Sequence, residues 1–126
     1  MEKQGKRSRG KVAGMGDFIV DKAGPNGFVC VFEDDGETGY LYLYEPEGDG
    51  VIKHLQIYDA AKDLNVSEQD VKVVWSSDEK KCGVIIWGGL RGIIDLERNR
   101  EGRAKLESRE SPPIDDREWL RGFEET

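Results

Sequence analysis

The chain has 126 residues, enough for one domain with a single hydrophobic core and too few for two. Residues 1–11 contain five Lys or Arg and one Glu, whereas the whole chain has a formal net charge of −7, so residues 12–126 are strongly acidic. An acidic surface is not expected to bind nucleic acid through its phosphates. No stretch approaches the roughly 20 apolar residues that span a bilayer, so we expect a cytoplasmic protein without a membrane partner.

Residues 1–14 are predicted to be a disordered basic tail, because their Gly, Lys and Arg content shows no periodic apolar pattern. A solvated tail is the favoured interpretation, and a short basic arm for nucleic acid or an acidic partner is the alternative. A single β-rich domain is predicted over residues 15–126.

Four strands are predicted in the first half of the folded part, separated by turns rich in Gly, Pro, Asn and Asp. Period-2 alternation places Leu41 and Leu43 on one face of the third strand and three tyrosines on the other. One helical turn near residues 60–62 and a second beginning at Ser67 are expected before the next strand. The predicted strands are 17–21, 27–33, 40–45 and 51–58.

The second half is organised around three predicted strands, 71–76, 82–87 and 93–96. The middle strand is apolar on both faces, so we expect it inside a sheet that is covered on both sides. A Gly-rich turn is predicted over residues 88–92, with Arg91 exposed on it.

A charged loop over residues 97–113 and a short helix over residues 115–123 complete the predicted domain. Alternation within the loop favours a weak edge strand at 104–108, and Asp115 with Glu118 resembles a capping box. Three apolar residues share one face of the helix, which is too short to be stable alone and is expected to dock on the sheet. These residues are Trp119, Leu120 and Phe123.

The predicted fold is therefore mainly β, a meander of about six or seven antiparallel strands with one short C-terminal helix. The pattern leaves a barrel-like sheet and a sandwich both open.

The tyrosine row on the third strand is the first candidate binding surface. Tyr40, Tyr42 and Tyr44 can stack on bases or sugars, but such sites also need a cationic groove and the neighbours here are acidic. Half-buried tyrosines, covered by the terminal helix or by a protein partner, are the favoured interpretation.

The acidic turn is the second candidate. Asp34, Asp35 and Glu37 supply oxygen ligands for a hard cation, but their spacing lacks the calcium-loop pattern, and an ordinary acidic β-turn is the alternative. His54 is the only histidine, which excludes a histidine-based metal cage. No catalytic motif or cofactor motif occurs, so no cofactor is expected and a non-catalytic role is favoured.

The two cysteines, Cys30 and Cys82, both fall in predicted strands, where a small buried hydrophobe is the usual interpretation. A disulfide between them requires an oxidising compartment, which nothing else in the sequence indicates. A catalytic pair of one cysteine with His54 stays open.

Two segments, GPNGFVCVFEDDGETGYLYLY and VWSSDEKKCGVIIWGGLRGIIDLE, carry a resemblance to a known group of proteins. Together they resemble a family of small bacterial single-domain proteins classed as a domain of unknown function, over Gly24 to Glu97. The resemblance implies a compact bacterial β-domain and assigns no catalytic residues. In size, acidity and layout the chain is also similar to immunity proteins that neutralise bacterial toxins.

Our leading hypothesis is a non-catalytic, immunity-like protein-binding module whose acidic surface attracts a basic protein. The alternative is a metal-binding or small-molecule-binding domain, an enzyme included, with its site at the acidic turn. The oligomeric state is not predicted. The candidate partner-binding residues are Tyr40, Tyr42, Tyr44, Asp34, Asp35, Glu37 and Arg91.

Overall fold

The computed structural model describes residues 17–48, 50–59 and 61–123, so the predicted tail at 1–14 lies outside the described residues. Eight strands in these residues form two four-stranded antiparallel sheets, and each sheet is a meander of sequence neighbours. The first sheet contains β1 (Asp17–Ala23), β2 (Val29–Asp35), β3 (Gly39–Glu45) and β4 (Gly50–Tyr58). The second contains β5 (Val71–Trp75), β6 (Lys81–Ile86), β7 (Gly89–Asp95) and β8 (Arg100–Arg103).

The helices of the described chain are short. They are α1 (Ala61–Leu64) and α2 (Arg117–Leu120), together with 3-10 turns at Pro25–Gly27 and Glu68–Asp70. Ser67 begins the second 3-10 turn as expected, and its N–H donates to the Asp70 carboxylate at 2.9 Å. No described helix has the length and apolar content needed to cross a membrane. The prediction of a mainly β fold with a short C-terminal helix is confirmed.

The two sheets stack face to face, which makes the fold a sandwich rather than a barrel. Trp75 closes one edge, because its indole N–H donates to the Lys22 carbonyl at 3.0 Å. Leu106 closes the opposite edge, where its N–H donates to the Ile57 carbonyl at 2.9 Å. The largest wholly buried apolar side chains between the sheets are Tyr58, Phe32, Leu41, Leu43, Ile57, Ile86 and Ile94.

A bulge in β4 lets two consecutive residues enter the core. The pairing of β3 with β4 shifts between Gly39 and Tyr40, so Ile57 and Tyr58 are both wholly buried. Gly39 makes room for the Tyr58 ring, since a Cβ on Gly39 would lie 2.5 Å from it. Simple alternation along the strand would have exposed one of these two side chains.

Residues 114–123 cover the outer face of the second sheet, which confirms that β6 is buried on both faces and that the C-terminal helix docks there. Lys81 holds this segment, because its Nζ donates to the carbonyls of Glu118 and Trp119, each at 3.1 Å. A second cluster of buried apolar side chains lies under the segment and contains Val74, Leu90, Ile93 and Phe123.

The predicted Gly-rich turn at 88–92 is wrong, because β7 begins at Gly89. The real turn is the two-residue hairpin of Trp87 and Gly88, with φ of 53° and 80°. Gly92 serves packing instead, since a Cβ there would lie 2.6 Å from Cδ1 of Ile57 across the core.

Two boundaries near the C-terminus also differ from the predictions. β8 lies inside the segment predicted as a charged loop, four residues before the expected edge strand. The helix cap is Asp116 rather than Asp115, because an Asp116 side-chain oxygen accepts from the N–H of Glu118 at 2.8 Å. The helix ends at Leu120, and Phe123 lies in the turn that follows.

Candidate functional site

The outer face of the first sheet presents the three tyrosines of β3. Cross-strand pairing aligns Tyr44 with Val29 and Val51 and aligns Tyr42 with Val31 and His54. We call this surface the tyrosine face. Its apolar and aromatic residues are Ile19, Val29, Val31, Tyr40, Tyr42, Tyr44 and Val51, and its acidic residues are Asp17, Asp21, Glu33 and Asp35.

Several apolar side chains of the tyrosine face are open to solvent. Ile19 is 45% exposed, Tyr44 38% and Val51 51%, whereas Tyr40 and Tyr42 are half-buried among their neighbours. The outer face of the second sheet differs, because residues 114–123 bury its apolar side chains. The predicted cover for the tyrosines by the terminal helix is therefore wrong, since α2 lies on the other sheet.

The charged side chains described on the tyrosine face are all acidic. Its four carboxylates come from β1 and β2, and the described residues of the face include no Lys or Arg. The Tyr42 hydroxyl lies 3.4 Å from Oε1 of Glu33. Burial, with a smaller contribution from Glu33, raises the pKa of Tyr42 to about 12, so this hydroxyl stays protonated near neutral pH.

The acidic turn between β2 and β3 uses its carboxylates internally. One Asp35 oxygen accepts from the N–H groups of Glu37 and Thr38, at 2.9 and 2.8 Å. Asp34 is 1% exposed, and it accepts from the Gly36 N–H at 2.8 Å and from the Tyr58 hydroxyl. Burial raises the pKa of Asp34, while these hydrogen bonds oppose the rise. Asp34 is thus a buried structural residue whose carboxylate cannot touch a partner, in contrast to its predicted role.

The expectation that Arg91 is exposed is also wrong, because its side chain is 3% exposed. Its guanidinium donates to the Ile86 carbonyl at 3.4 Å and to the carbonyl of Ser111. Burial lowers the pKa of this group. Arg91 therefore ties the C-terminal segment to the second sheet and does not present a charge to a partner.

The structure brings Tyr40, Tyr42 and Tyr44 together with His54, but it does not bring the predicted acidic ligands into a metal centre. Across residues 17–48, 50–59 and 61–123, no group of three or more His, Cys, Asp or Glu is placed to hold a metal ion. His54 lies beside the Tyr40 ring, with 6.3 Å between ring centroids.

Comparison with known protein families gives a match that covers most of the chain. Residues 12–125 match the model of a family described as an uncharacterized protein conserved in bacteria (DUF2251). The chain belongs to this family. The match extends beyond the resemblance over Gly24 to Glu97 and includes both sheets and the C-terminal segment. No curated protein and no solved structure matches the chain, and the similarity to immunity proteins stays a prediction.

Sequence reasoning missed several residues of the tyrosine face in this family member. Ile19, Val31 and Val51 come from strands on both sides of β3, and only the pairing register shows that they share the face. For Ile19 the sequence does contain a signal. Its neighbours Phe18 and Val20 pack on the core, so two-residue alternation places Ile19 on the opposite, outer face of the sheet.

Among the concave regions elsewhere on the described residues of this family member are a groove and a smaller opening. The groove, of about 500 Å³, lies beside β8 and is lined by two basic and three acidic side chains. Its lining therefore favours neither a positively nor a negatively charged ligand. These residues are Arg103, Lys105, Glu107, Asp115 and Asp116. A smaller apolar opening between the sheets, of about 180 Å³, is lined by Phe28, Leu43 and Ile52 among others. It is smaller than the roughly 300–1,000 Å³ of ordinary ligand pockets.

Proposed function

We propose that this family member is a non-catalytic binding domain whose tyrosine face docks a basic protein. The observation that carries the proposal is the combination of exposed Ile19, Tyr44 and Val51 with four carboxylates on one sheet face. Tyr44 and Val51 are cross-strand neighbours, and exposed apolar groups beside polar groups are typical of interaction sites on soluble proteins. The domain does not need these three side chains for its own core.

The tyrosines are suited to anchor such a partner. A tyrosine offers a rigid apolar ring and a hydroxyl, and it loses little conformational entropy when it is buried at an interface. Tyr44 is the most exposed of the three, while the Tyr42 hydroxyl is already oriented by Glu33 at 3.4 Å. We therefore expect Tyr44 to be the main anchor.

Charge complementarity selects the partner. A face with carboxylates and no described cation repels acidic surfaces and attracts Lys-rich or Arg-rich ones, which raises the association rate at low salt. A basic bacterial toxin is one partner of this chemistry, and neutralising it would be the immunity-like form of the proposed function.

The size of the face limits the area that a partner can bury on it. Strands of seven residues and four strands side by side give a patch of roughly 23 by 19 Å. This area is small beside the roughly 800 Å² that each partner buries in a standard interface. We therefore expect a salt-sensitive complex that depends strongly on its central anchor.

The test begins with capture from the native host at low salt, followed by purification of the captured protein and direct binding measurements. Asp21→Lys reverses one charge on the tyrosine face, and Tyr44→Ala removes the anchor. Glu110→Lys is the matched control, because Glu110 is exposed in the C-terminal segment away from the face. We expect Tyr44→Ala to weaken binding at least about tenfold. We expect Asp21→Lys to weaken it mainly at low salt, and Glu110→Lys to change it less than about twofold.

Three results would contradict the proposal. The first is that the host yields no partner at low salt. The second is that the captured protein is acidic. The third is that it binds the tyrosine-face variants and the Glu110→Lys control equally well.

A further inference from the structure

The two cysteines of the chain lie on different sheets of the sandwich, and both are in its core. Cys30 lies on β2 of the first sheet and Cys82 on β6 of the second, and both are 0% exposed. Both side chains belong to one cluster of buried residues between the sheets, and β2 and β6 contact each other there. These are the only two cysteines among 126 residues, and both are free thiols in this structure.

Hydrogen bonding at one edge of the sandwich joins a cross-strand neighbour of one cysteine to a cross-strand neighbour of the other. Lys22 is the cross-strand neighbour of Cys30, and Trp75 is the cross-strand neighbour of Cys82. The Trp75 indole N–H donates to the Lys22 carbonyl at 3.0 Å. The residues beside the two cysteines are thus joined across the same sheet-to-sheet gap.

At the other edge of the sandwich, an ion pair joins the two rows of cross-strand neighbours that contain the cysteines. In the first sheet, Cys30 pairs with Leu43, which pairs in turn with Lys53. In the second sheet, Cys82 pairs with Ile94, which pairs in turn with Glu101. Lys53 Nζ lies 3.1 Å from Oε1 of Glu101. Contacts on both sides of the cysteine pair therefore hold the two rows face to face.

We propose that Cys30 and Cys82 form an intersheet dithiol–disulfide site that is oxidised while the chain folds and is closed to oxidants once the sheets have packed. The oxidant is a small disulfide such as oxidised glutathione. One cysteine thiolate attacks it, forms a mixed disulfide and releases one glutathione thiolate. The second cysteine thiolate then attacks the protein sulfur of the mixed disulfide and releases the second glutathione. The protein loses two protons and two electrons, and the oxidant becomes two thiols.

The timing follows from burial. The thiolate is the attacking species, and burial raises the pKa of the Cys30 thiol, so little thiolate forms in the folded protein. With both sulfur atoms inaccessible, the folded protein reacts only through opening motions. The unfolded chain has no such protection, which places the reaction in the folding stage.

The experiment compares two samples of reduced protein in oxidised glutathione. One sample stays folded, and the other is refolded from urea in the same buffer. Disulfide formation is followed by the loss of two hydrogens in the intact mass and by thiol counting after denaturation. We expect oxidation of the folded sample to be at least about a hundredfold slower than oxidation during refolding. Cys30→Ala and Cys82→Ala are the controls, and each is expected to gain one glutathione and form no internal link.

The stability of the refolded, oxidised protein tests whether the disulfide fits the native arrangement of the two sheets. A disulfide that fits the native row closes a loop of about fifty residues and raises the folding equilibrium constant by roughly a hundredfold to a thousandfold, seen as a higher urea midpoint. The proposal is overturned if the refolded wild type keeps two thiols or links separate chains. It is also overturned if the oxidised protein has a lower urea midpoint, or if the folded sample oxidises as fast as the unfolded one.

Discussion

Replacing Phe123 with alanine tests whether the C-terminal segment is part of the core or is displayed for a partner. Phe123 is 6% exposed and lies in the apolar cluster on the outer face of the second sheet with Leu90 and Ile93. Its ring also lies 5.7 Å from the Lys81 ammonium. Phe→Ala changes in a core cost about 3–5 kcal/mol. Phe123 lies in the turn after α2 and belongs to the smaller of the two apolar clusters, so we expect about 3 kcal/mol, the lower end of that range.

Urea unfolding of the parent and of Phe123→Ala measures this loss. With a slope of about 2 kcal/mol per M, the midpoint should fall by roughly 1.5 M. Ile19→Ala is the matched control, because it removes an apolar side chain that is 45% exposed on the other sheet. The control should change the free energy of unfolding by less than about 0.5 kcal/mol.

An unshifted midpoint for Phe123→Ala would refute the assignment of this segment to the core. Trp119→Ala extends the test, since its half-buried ring stacks 4.3 Å from the Arg100 guanidinium and faces Gly102. Because Trp119 is half-buried, we expect a smaller loss than for Phe123, about 2 kcal/mol.

Three further predictions concern the acidic turn and the residues behind it. Tyr58→Phe removes the hydroxyl that donates to buried Asp34 and should cost about 1–3 kcal/mol in urea unfolding. The pKa of Asp34 is raised in the folded protein, so its contribution to stability is fully present below its unfolded pKa and is lost as pH rises through its folded pKa. The stability advantage of the parent over Asp34→Asn should therefore be larger at acidic pH than at neutral pH, and a constant difference would contradict this sign. Millimolar calcium, magnesium, manganese or zinc should leave the melting temperature unchanged, because the turn carboxylates already accept internal hydrogen bonds; a rise would restore the metal-site hypothesis.

Alternation was enough to predict the faces of β3 from sequence. Leu41 and Leu43 are buried and Tyr44 is exposed, because a two-residue period fixes which side chains share a face. The same rule fails on β4, where the bulge turns both Ile57 and Tyr58 into the core. No local pattern marks that bulge, since it arises from how β4 meets β3.

Long-range contacts account for the errors at the predicted site. Arg91 looks like an exposed turn residue, but one of its hydrogen-bond acceptors is the carbonyl of Ser111, twenty residues later in the chain. Asp34 looks like part of an open acidic turn, but its carboxylate accepts a hydrogen bond from the hydroxyl of Tyr58 on β4, twenty-four residues away. In both cases a buried polar group found its partner in a segment whose position only the folded chain reveals.

The outer faces of the two sheets make stability and binding separable. The second sheet is apolar on both faces and requires the cover that Phe123 and its neighbours provide. The first sheet alternates apolar and polar faces, so it packs on the core with its tyrosine face in water, and Tyr44 and Val51 stay exposed without loss of fold. Substitutions under the C-terminal segment should therefore lower the urea midpoint, whereas Tyr44→Ala should weaken partner binding and leave the midpoint unchanged. If Tyr44→Ala instead unfolds the domain, the tyrosine face is a structural surface and the argument for a docked partner loses its main support.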